Sequence, residues 1–469
     1  MKRIYRLKTE YISMFFRVFA LLAATLTVAS TAANQSFDFV IVGAGMSGAA
    51  AAATLKKAGK GSVVVLEANP DRVGGRLYSK QVGAYTVNLG ASWIHGIRGN
   101  PLVSLARQAG VPLSRSTTDY DDSKTYYGSG TPVPPKEESR YDATWTEFEA
   151  YLEKRQDKAD YDYEDDPGLG PVVDDFVKKK KLTGANRDAF YFNVKVNIED
   201  EYGARYNQMS LWFDEDKELP GGDRVVLGPY DKLVSYLLRG IDVRLGSSVR
   251  KIDYSAPTLT VTTSKATFTA KKAVIVTVPL GVLKAGSIKF VPALPRTNRA
   301  AITALGMGLL NKCVLLFDRA WWDDAEWIEQ ITNRGFQATF NLKPVSGEPI
   351  LYGFNSAKNA QDIESWSDMK TCDAMMEALR SMYPDKAETY RDCVVTRWGS
   401  DALSKGSYSF TTPKMEYKPA HEGVGAPVDG GRVLFAGEAT STRWPATAHG
   451  AYSSGVSVAK KLLSRKSTY

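Results

Sequence analysis

Apolar and polar positions alternate in blocks that repeat at three separated places along the chain. The first block runs Phe37 to Ala53, FDFVIVGAGMSGAAAAA. Its apolar run, Phe39 to Val42, has the length and branching of a buried parallel strand, and the alanines that follow predict a helix. A second apolar strand, Ser62 to Leu66, ends in Glu67. Strand-like alternation returns at Val243 to Val249 and Thr258 to Thr263, and Lys271 to Pro279 contains the apolar strand AVIVTVP. A third return is Arg432 to Gly437, followed by a helix over Ala451 to Leu463. In the intervening sequence, Ser114 to about Pro171 is polar, aromatic and acidic, and Pro132, Pro134 and Pro135 are expected to break any long helix. The acidic stretch Tyr161 to Asp166 and the basic run Lys178 to Lys181 read as solvated faces or loops. A further strand, Cys313 to Phe317, is headed by Lys312.

Strands that leave and return predict an α/β fold of two interleaved domains. One is a Rossmann-like dinucleotide domain built from residues 37–115, 225–295 and 396–469. The other, a mixed sheet with helices, takes residues 116–224 and 296–395 and shapes the substrate site. No repeat of solenoid period is evident.

The 469 residues suffice for more than one domain, and the net charge of +8 at first suggests an anionic partner. Residues 1–33 carry Lys2, Arg3, Arg6, Lys8 and Arg17 against Glu10, a net of +4, which leaves only +4 for the remainder. That mild excess does not argue for nucleic acid. The basic start, the apolar stretch Val18 to Ser30 and the small residues Thr31 to Ala33 read as a signal peptide cleaved after Ala33. The expectation is a secreted protein with no membrane span after cleavage; an uncleaved anchor beginning near Tyr11 is the rival. Asn34-Gln35-Ser36 is a glycosylation sequon beside the cut. Three cysteines are too few for a disulfide framework; Cys372 and Cys393 could pair and leave Cys313 alone, which only geometry decides. No cysteine–histidine spacing supports a zinc site.

The chemistry begins at Gly43, Gly45 and Gly48. In such a strand–turn–helix the first glycine makes the tight turn, the second lets backbone approach a pyrophosphate, and the third lets the helix pack on the strand. The helix N-terminus then faces the phosphates. Glu67 stands where a ribose-binding carboxylate belongs. Arg72-Val73-Gly74-Gly75-Arg76 offers backbone N–H groups and a guanidinium, and its place after Glu67 favours a flavin dinucleotide over a nicotinamide one.

Six separated motifs together resemble the flavin-containing amine oxidase family, in its polyamine oxidase branch. They are VGAGMSG with Glu67, RVGGR, GASWIHG at Gly90 to Gly96, LNKCVLLF around Lys312, RWGSDALSKGSYS from Arg397 and FAGEATSTRWPATAHGAYSSG from Phe435. The resemblance implies FAD, with Glu67 on the adenosine ribose, Arg76 at the phosphates and Val249 meeting the adenine through its backbone. It places Glu438 at the ribityl–phosphate portion and the backbone of Trp93 and Thr447 beside the isoalloxazine. Lys312 matches the lysine that holds a water against flavin N5, and Tyr408 matches one wall of an aromatic slot. Ser407 stands where monoamine oxidases carry their flavin-linked cysteine, so FAD is expected to be non-covalent. Thr447 replaces a second aromatic wall and leaves Trp444 and Tyr408 as the candidate aromatics of a wider slot. His95 matches a site-facing histidine of spermine oxidases. Glu199, Asp200 and Glu201 read as a solvated turn, with charge for the far end of a polycation as the sharper alternative.

The implied reaction is oxidation of polyamines, with hydride transfer to flavin N5 and dioxygen as the acceptor, giving an aldehyde, a shorter amine and hydrogen peroxide. Rival readings are an L-amino-acid or monoamine oxidase of the same fold, a histone demethylase, or an FAD-binding protein without turnover.

Overall fold

The computed structural model describes residues 35–158, 165–213 and 219–465. The leader, Asn34 and most of the acidic stretch from Tyr161 lie outside the described residues. The first apolar run forms the strand Gln35–Val42, whose last four residues are buried. It pairs in parallel with Val63–Leu66 on one side and Thr267–Val276 on the other. A central strand covered on both faces has no polar side to present, which is why this run is uniformly apolar. The sheet is eight-stranded, and its strands come from residues 35–66, 242–291 and 433–435.

Helices Met46–Ala58 and Ala448–Ser464 pack together on one face of this sheet. Their backbones approach closely because the contact is built from small residues: a Cβ on Gly455 would stand 2.1 Å from the Ser47 carbonyl oxygen. The other face is covered by Arg296–Ala304 and Tyr417–Gly425 through Ala301, Ile302, Ala420 and Val424.

A second, six-stranded sheet runs in the order Asp392–Val395, Leu310–Leu316, Ile350–Ser356, Ala338–Asn341, Trp327–Ile331 and Ser123–Tyr127. All its pairs are antiparallel except the last. Along Leu310–Leu316, Cys313 and Leu315 face the helix Asp368–Met382. Val314 and Leu316 point the other way, toward Phe340, Tyr352 and Phe354, and the period of two puts Lys312 on that face. A helical layer, Pro135–Lys158, Leu169–Lys180 and Gly184–Val194, closes around Phe148, Phe176 and Phe190, whose rings meet at 5.2 Å. Among the described residues no helix is long and apolar enough to cross a membrane.

The α/β architecture is as expected, with local departures. The alternation at Val243 to Val249 is two strands, Asp242–Arg244 and Val249–Asp253, because Gly246 turns the chain between them at φ 61°. The prolines before Lys136 do not prevent a long helix. Pro135 is the first residue of one 24 residues long, where its missing N–H has no intrahelical partner to lose. Asp166, expected in a solvated segment, is buried and accepts hydrogen bonds from the Ser210 hydroxyl at 2.7 Å and the Gly168 N–H at 2.8 Å. Cys372 and Cys393 form a disulfide, and Cys313 is free and buried. The Cys313 sulfur nevertheless lies 3.7 Å from that of Cys393, a three-sulfur grouping that the sequence spacing did not reveal.

Replacing Gly455 with alanine forces the two small-residue helices apart. The expected result is a loss of about 1–3 kcal/mol of stability, read as a lowered unfolding midpoint in thermal denaturation. An unchanged midpoint would show that the helix pair is not close-packed.

Candidate active site

A cavity of about 1250 Å³ reaches from the glycine turn after Val42 to Trp327 and Glu329 on the second sheet. Pockets for one small ligand commonly fall at about 300–1000 Å³, so this one has room for a dinucleotide and a substrate together.

At the first end, Gly43 makes the turn at φ 104°. A Cβ on Gly48 would lie 2.0 Å from the Gly43 carbonyl oxygen, so helix and turn are in contact there. Gly45 differs: a Cβ there would meet nothing closer than the Gly74 oxygen at 3.9 Å, and the residue lines the cavity. It is also the N-cap of Met46–Ala58 and supplies no side-chain cap, so that helix presents uncapped N–H groups to the cavity. Glu67 is buried and bonds this loop in place, accepting from the Ala44 N–H at 2.7 Å and the Asn69 N–H at 2.8 Å. Val249 lies beside it on the lining. An anion-binding turn, a carboxylate at the second strand and open space in front of Gly45 fit the pyrophosphate and ribose of FAD.

Arg76 sits midway. It donates to Glu438 at 2.8 Å and to the Ser407 carbonyl at 2.8 Å. Glu438 is fully buried and also accepts from the Ser409 hydroxyl at 2.6 Å and the Ala446 N–H at 3.1 Å. Burial alone would raise its pKa, but Arg76 and these donors more than offset that and hold it below the usual carboxylate value. The Ser407 hydroxyl is engaged with the Leu310 backbone, accepting at 2.9 Å and donating at 3.0 Å.

Lys312 is only 3% exposed. Its ammonium donates to the Gly90 carbonyl at 2.6 Å, the Ser92 hydroxyl at 2.5 Å and, at 3.3 Å, the Asn88 carbonyl. The rings of Trp93, Tyr352 and Phe354 stand around it with centroids at 5.6, 5.6 and 5.7 Å. Among the described residues it has no carboxylate partner, and burial lowers its pKa to about 7. The strand begins at Leu310, two residues earlier than expected, so Lys312 is inside it and faces the cavity.

The other expected residues gather at this end. Tyr408 lines the cavity and donates to the Asp200 carbonyl at 2.9 Å. Burial, with Glu201 and Asp200 adding to it, keeps its phenol neutral by raising its pKa well above the ordinary value. Trp444 also lines the cavity, and His449 meets its ring edge-on at 5.4 Å. His449 is pushed down to about 4 by burial and by the nearby His95. Thr447 has a structural task beside its place on the lining: it caps the last helix, accepting from the Gly450 N–H at 2.9 Å. His95 is half exposed, and its Nδ1 meets Asp223 at 2.6 Å.

Several lining residues were not legible in the sequence. Asp223 joins His95, the Tyr120 hydroxyl at 2.8 Å and the Gly96 N–H at 2.8 Å. Trp327 stacks against Tyr120 at 5.9 Å and Trp93 at 6.4 Å, so the slot has more aromatic wall than Trp444 and Tyr408 alone. Glu329 is a carboxylate on the cavity floor. The acidic triplet is not a solvated turn: Lys195 bridges Glu199 at 3.5 Å and Asp200 at 3.0 Å, and Asp200 and Glu201 line the cavity.

Comparison with known proteins agrees with this geometry. The sequence model of the flavin containing amine oxidoreductases matches residues 46–463. Polyamine oxidase 2 of Arabidopsis thaliana is 32% identical over 91% of this chain and 88% of its own length. Polyamine oxidase 4 of Oryza sativa subsp. japonica is 34% identical over 91% and 89%. Lysine-specific histone demethylase 1 homolog 1 of the same plant is 34% identical over 90% of this chain but only 52% of its own length. A solved structure of a putrescine oxidase double mutant shares the fold, with TM-score 0.71 and 20% identity over 92% of this chain and 100% of that one.

The Lys312 environment has a signature in stability. Its native pKa of about 7 lies below the unfolded value of about 10.4, so between these the unfolded chain binds more protons and stability rises with pH. Wild type is therefore expected to gain stability relative to Lys312→Met from pH 7 toward pH 10, and to lose that gain as pH falls back through 7. Parallel denaturation midpoints for the two proteins across that range would show an ordinary lysine.

Proposed function

The chain belongs to the family of flavin-containing amine oxidoreductases and is an FAD-dependent amine oxidase; from that premise we propose that its substrates are polyamines. The observation that carries this reading is the contrast between the two ends of the cavity. Of the lining arginines among the described residues, Arg72 and Arg250 lie with the glycine turn and Val249 at the nucleotide end, and Arg76 sits midway, engaged by Glu438. The chamber beyond Lys312 is lined instead by Asp200, Glu201, Asp223 and Glu329 among aromatic rings. Such a chamber suits a chain with several ammonium groups, and among the described residues it carries no arginine to clamp a carboxylate. The similarity to polyamine oxidases from two plants supports the same choice.

When bound, FAD supplies the two-electron acceptor for the amine, with dioxygen as final oxidant and hydrogen peroxide, an aldehyde and a shorter amine as products. The residues of the chain position and tune. Glu67 and the uncapped turn would hold the ribose and pyrophosphate, and Arg76, paired with Glu438, would offset phosphate charge. Lys312, with a pKa of about 7, passes between charged and neutral forms near neutrality and is placed to hold a water. Tyr408 and Trp444 guide the reacting nitrogen, and His95, fixed through Nδ1 by Asp223, lines the chamber beside them. FAD is held without a covalent bond, since Ser407 has no thiol to form one. The two sheets form the separate dinucleotide and substrate domains. Export is supported by the basic and apolar leader and by the disulfide, which persists in oxidising compartments.

Anaerobic mixing tests the substrate class: flavin absorbance is expected to bleach with spermine and to stay unchanged with leucine. Bleaching by leucine alone would replace the polyamine reading with an amino-acid oxidase. Lys312→Met is expected to lower oxidase turnover by at least about tenfold while FAD stays bound, followed by peroxide release; full turnover would remove Lys312 from the mechanism.

A further inference from the structure

The line of side chains that begins at Lys312 crosses the six-stranded sheet. Lys312 pairs with Phe354. Gly353 pairs with Thr339, which sets Phe354 beside Ala338, and Ala338 pairs with Glu329. Cross-strand partners share a face, and all four residues line the cavity. Strands about 4.8 Å apart put the backbones of Lys312 and Glu329 about 14 Å apart, three spacings along one row. Between them lie an aromatic ring and the small side chain of Ala338.

Glu329 is chemically incomplete. Among the described residues it forms no ion pair, and its one hydrogen bond, from the Thr125 hydroxyl, is long at 3.5 Å. Burial lifts its carboxyl to about 7, and the charged groups that act on it, Glu138, Asp200 and Asp142, are all acids. Lys195, which begins the helical segment Lys195–Glu199, is engaged by Glu199 and Asp200. A carboxylate so placed is costly until a cation reaches it.

We propose that Glu329 receives the distant terminal ammonium of a tetraamine of spermine length while the reacting carbon lies at the Lys312 end of the row. This deepens the polyamine reading and rests on it. An extended amine chain advances about 1.25 Å per bond, so the nine bonds from an inner spermine nitrogen to its far terminus span about 11 Å. With the reach of the glutamate side chain, that closes the row. In spermidine the inner nitrogen is at most five bonds, about 6 Å, from a terminus, and the carboxylate stays out of reach. The alanine between the two ends leaves the floor open to the methylene chain.

The test uses the FAD-loaded enzyme and its Glu329→Gln variant, with flavin absorbance as the check of folding. Glu329→Gln is expected to raise KM for spermine about tenfold with kcat within about twofold, and to leave kcat/KM for spermidine within about twofold. An unchanged spermine KM, or equal rises for both amines, overturns the assignment of Glu329 while the polyamine reading stands. Wild type inert toward both amines sinks that reading and this assignment with it. Should the variant lose its flavin, wild type decides through inhibition by linear α,ω-diamines. Inhibition strongest when the two nitrogens are about nine to eleven bonds apart supports the row as a ruler, and a series without a length optimum overturns it.

Discussion

The ion pair between the half-buried Arg76 and the buried Glu438 is the contact on which the cavity depends. The two residues are 362 positions apart and their charged atoms are 2.8 Å apart. Through the same two side chains run the bonds to Ser407, Ser409 and Ala446. The pair thus joins the turn after the second strand, the loop that carries Tyr408, and the segment that carries Trp444 and Thr447. Removing one partner of such a pair strands a charge and costs roughly 3–5 kcal/mol. A chain that returns to one sheet from three distant stretches needs such a knot, because hydrophobic burial alone does not fix how loops at the strand ends meet.

Lys312 illustrates the opposite treatment of a buried charge. Among the described residues it meets no carboxylate but carbonyl and hydroxyl oxygens and the faces of three rings. Those groups satisfy its donors without compensating its charge, so the ammonium is destabilised toward neutrality. The contrast is functional. Glu438 is locked ionised and serves as a fixed support, whereas Lys312 is poised where proton transfer is easy.

What was readable in the sequence was whatever is encoded locally. The roles of Gly43, Gly45 and Gly48 follow from strand, turn and helix in one short stretch, and the structure shows a distinct steric reason at each. Lys312 and Tyr408 stood out because their surrounding motifs are long. The remainder depends on contacts between distant positions. His95 meets Asp223 across 128 residues. Glu329 is notable only through the register that aligns it with Lys312. Pro135 misled because proline has two meanings at a helix: it breaks the interior but is at ease at the start. The acidic triplet misled because the nearby Lys195, an i,i+4 partner of Glu199, does not reveal that the segment is helical and lines the cavity.

Thr447 ties two properties together. Its hydroxyl holds the first turn of the terminal helix, and its small side chain leaves one wall of the chamber open. A tyrosine there could not supply that cap, and losing such a cap costs about 1 kcal/mol. Breadth of access and anchorage of the chain's end are therefore one variable here, and a lineage that tightens the entrance must secure its last helix by other means.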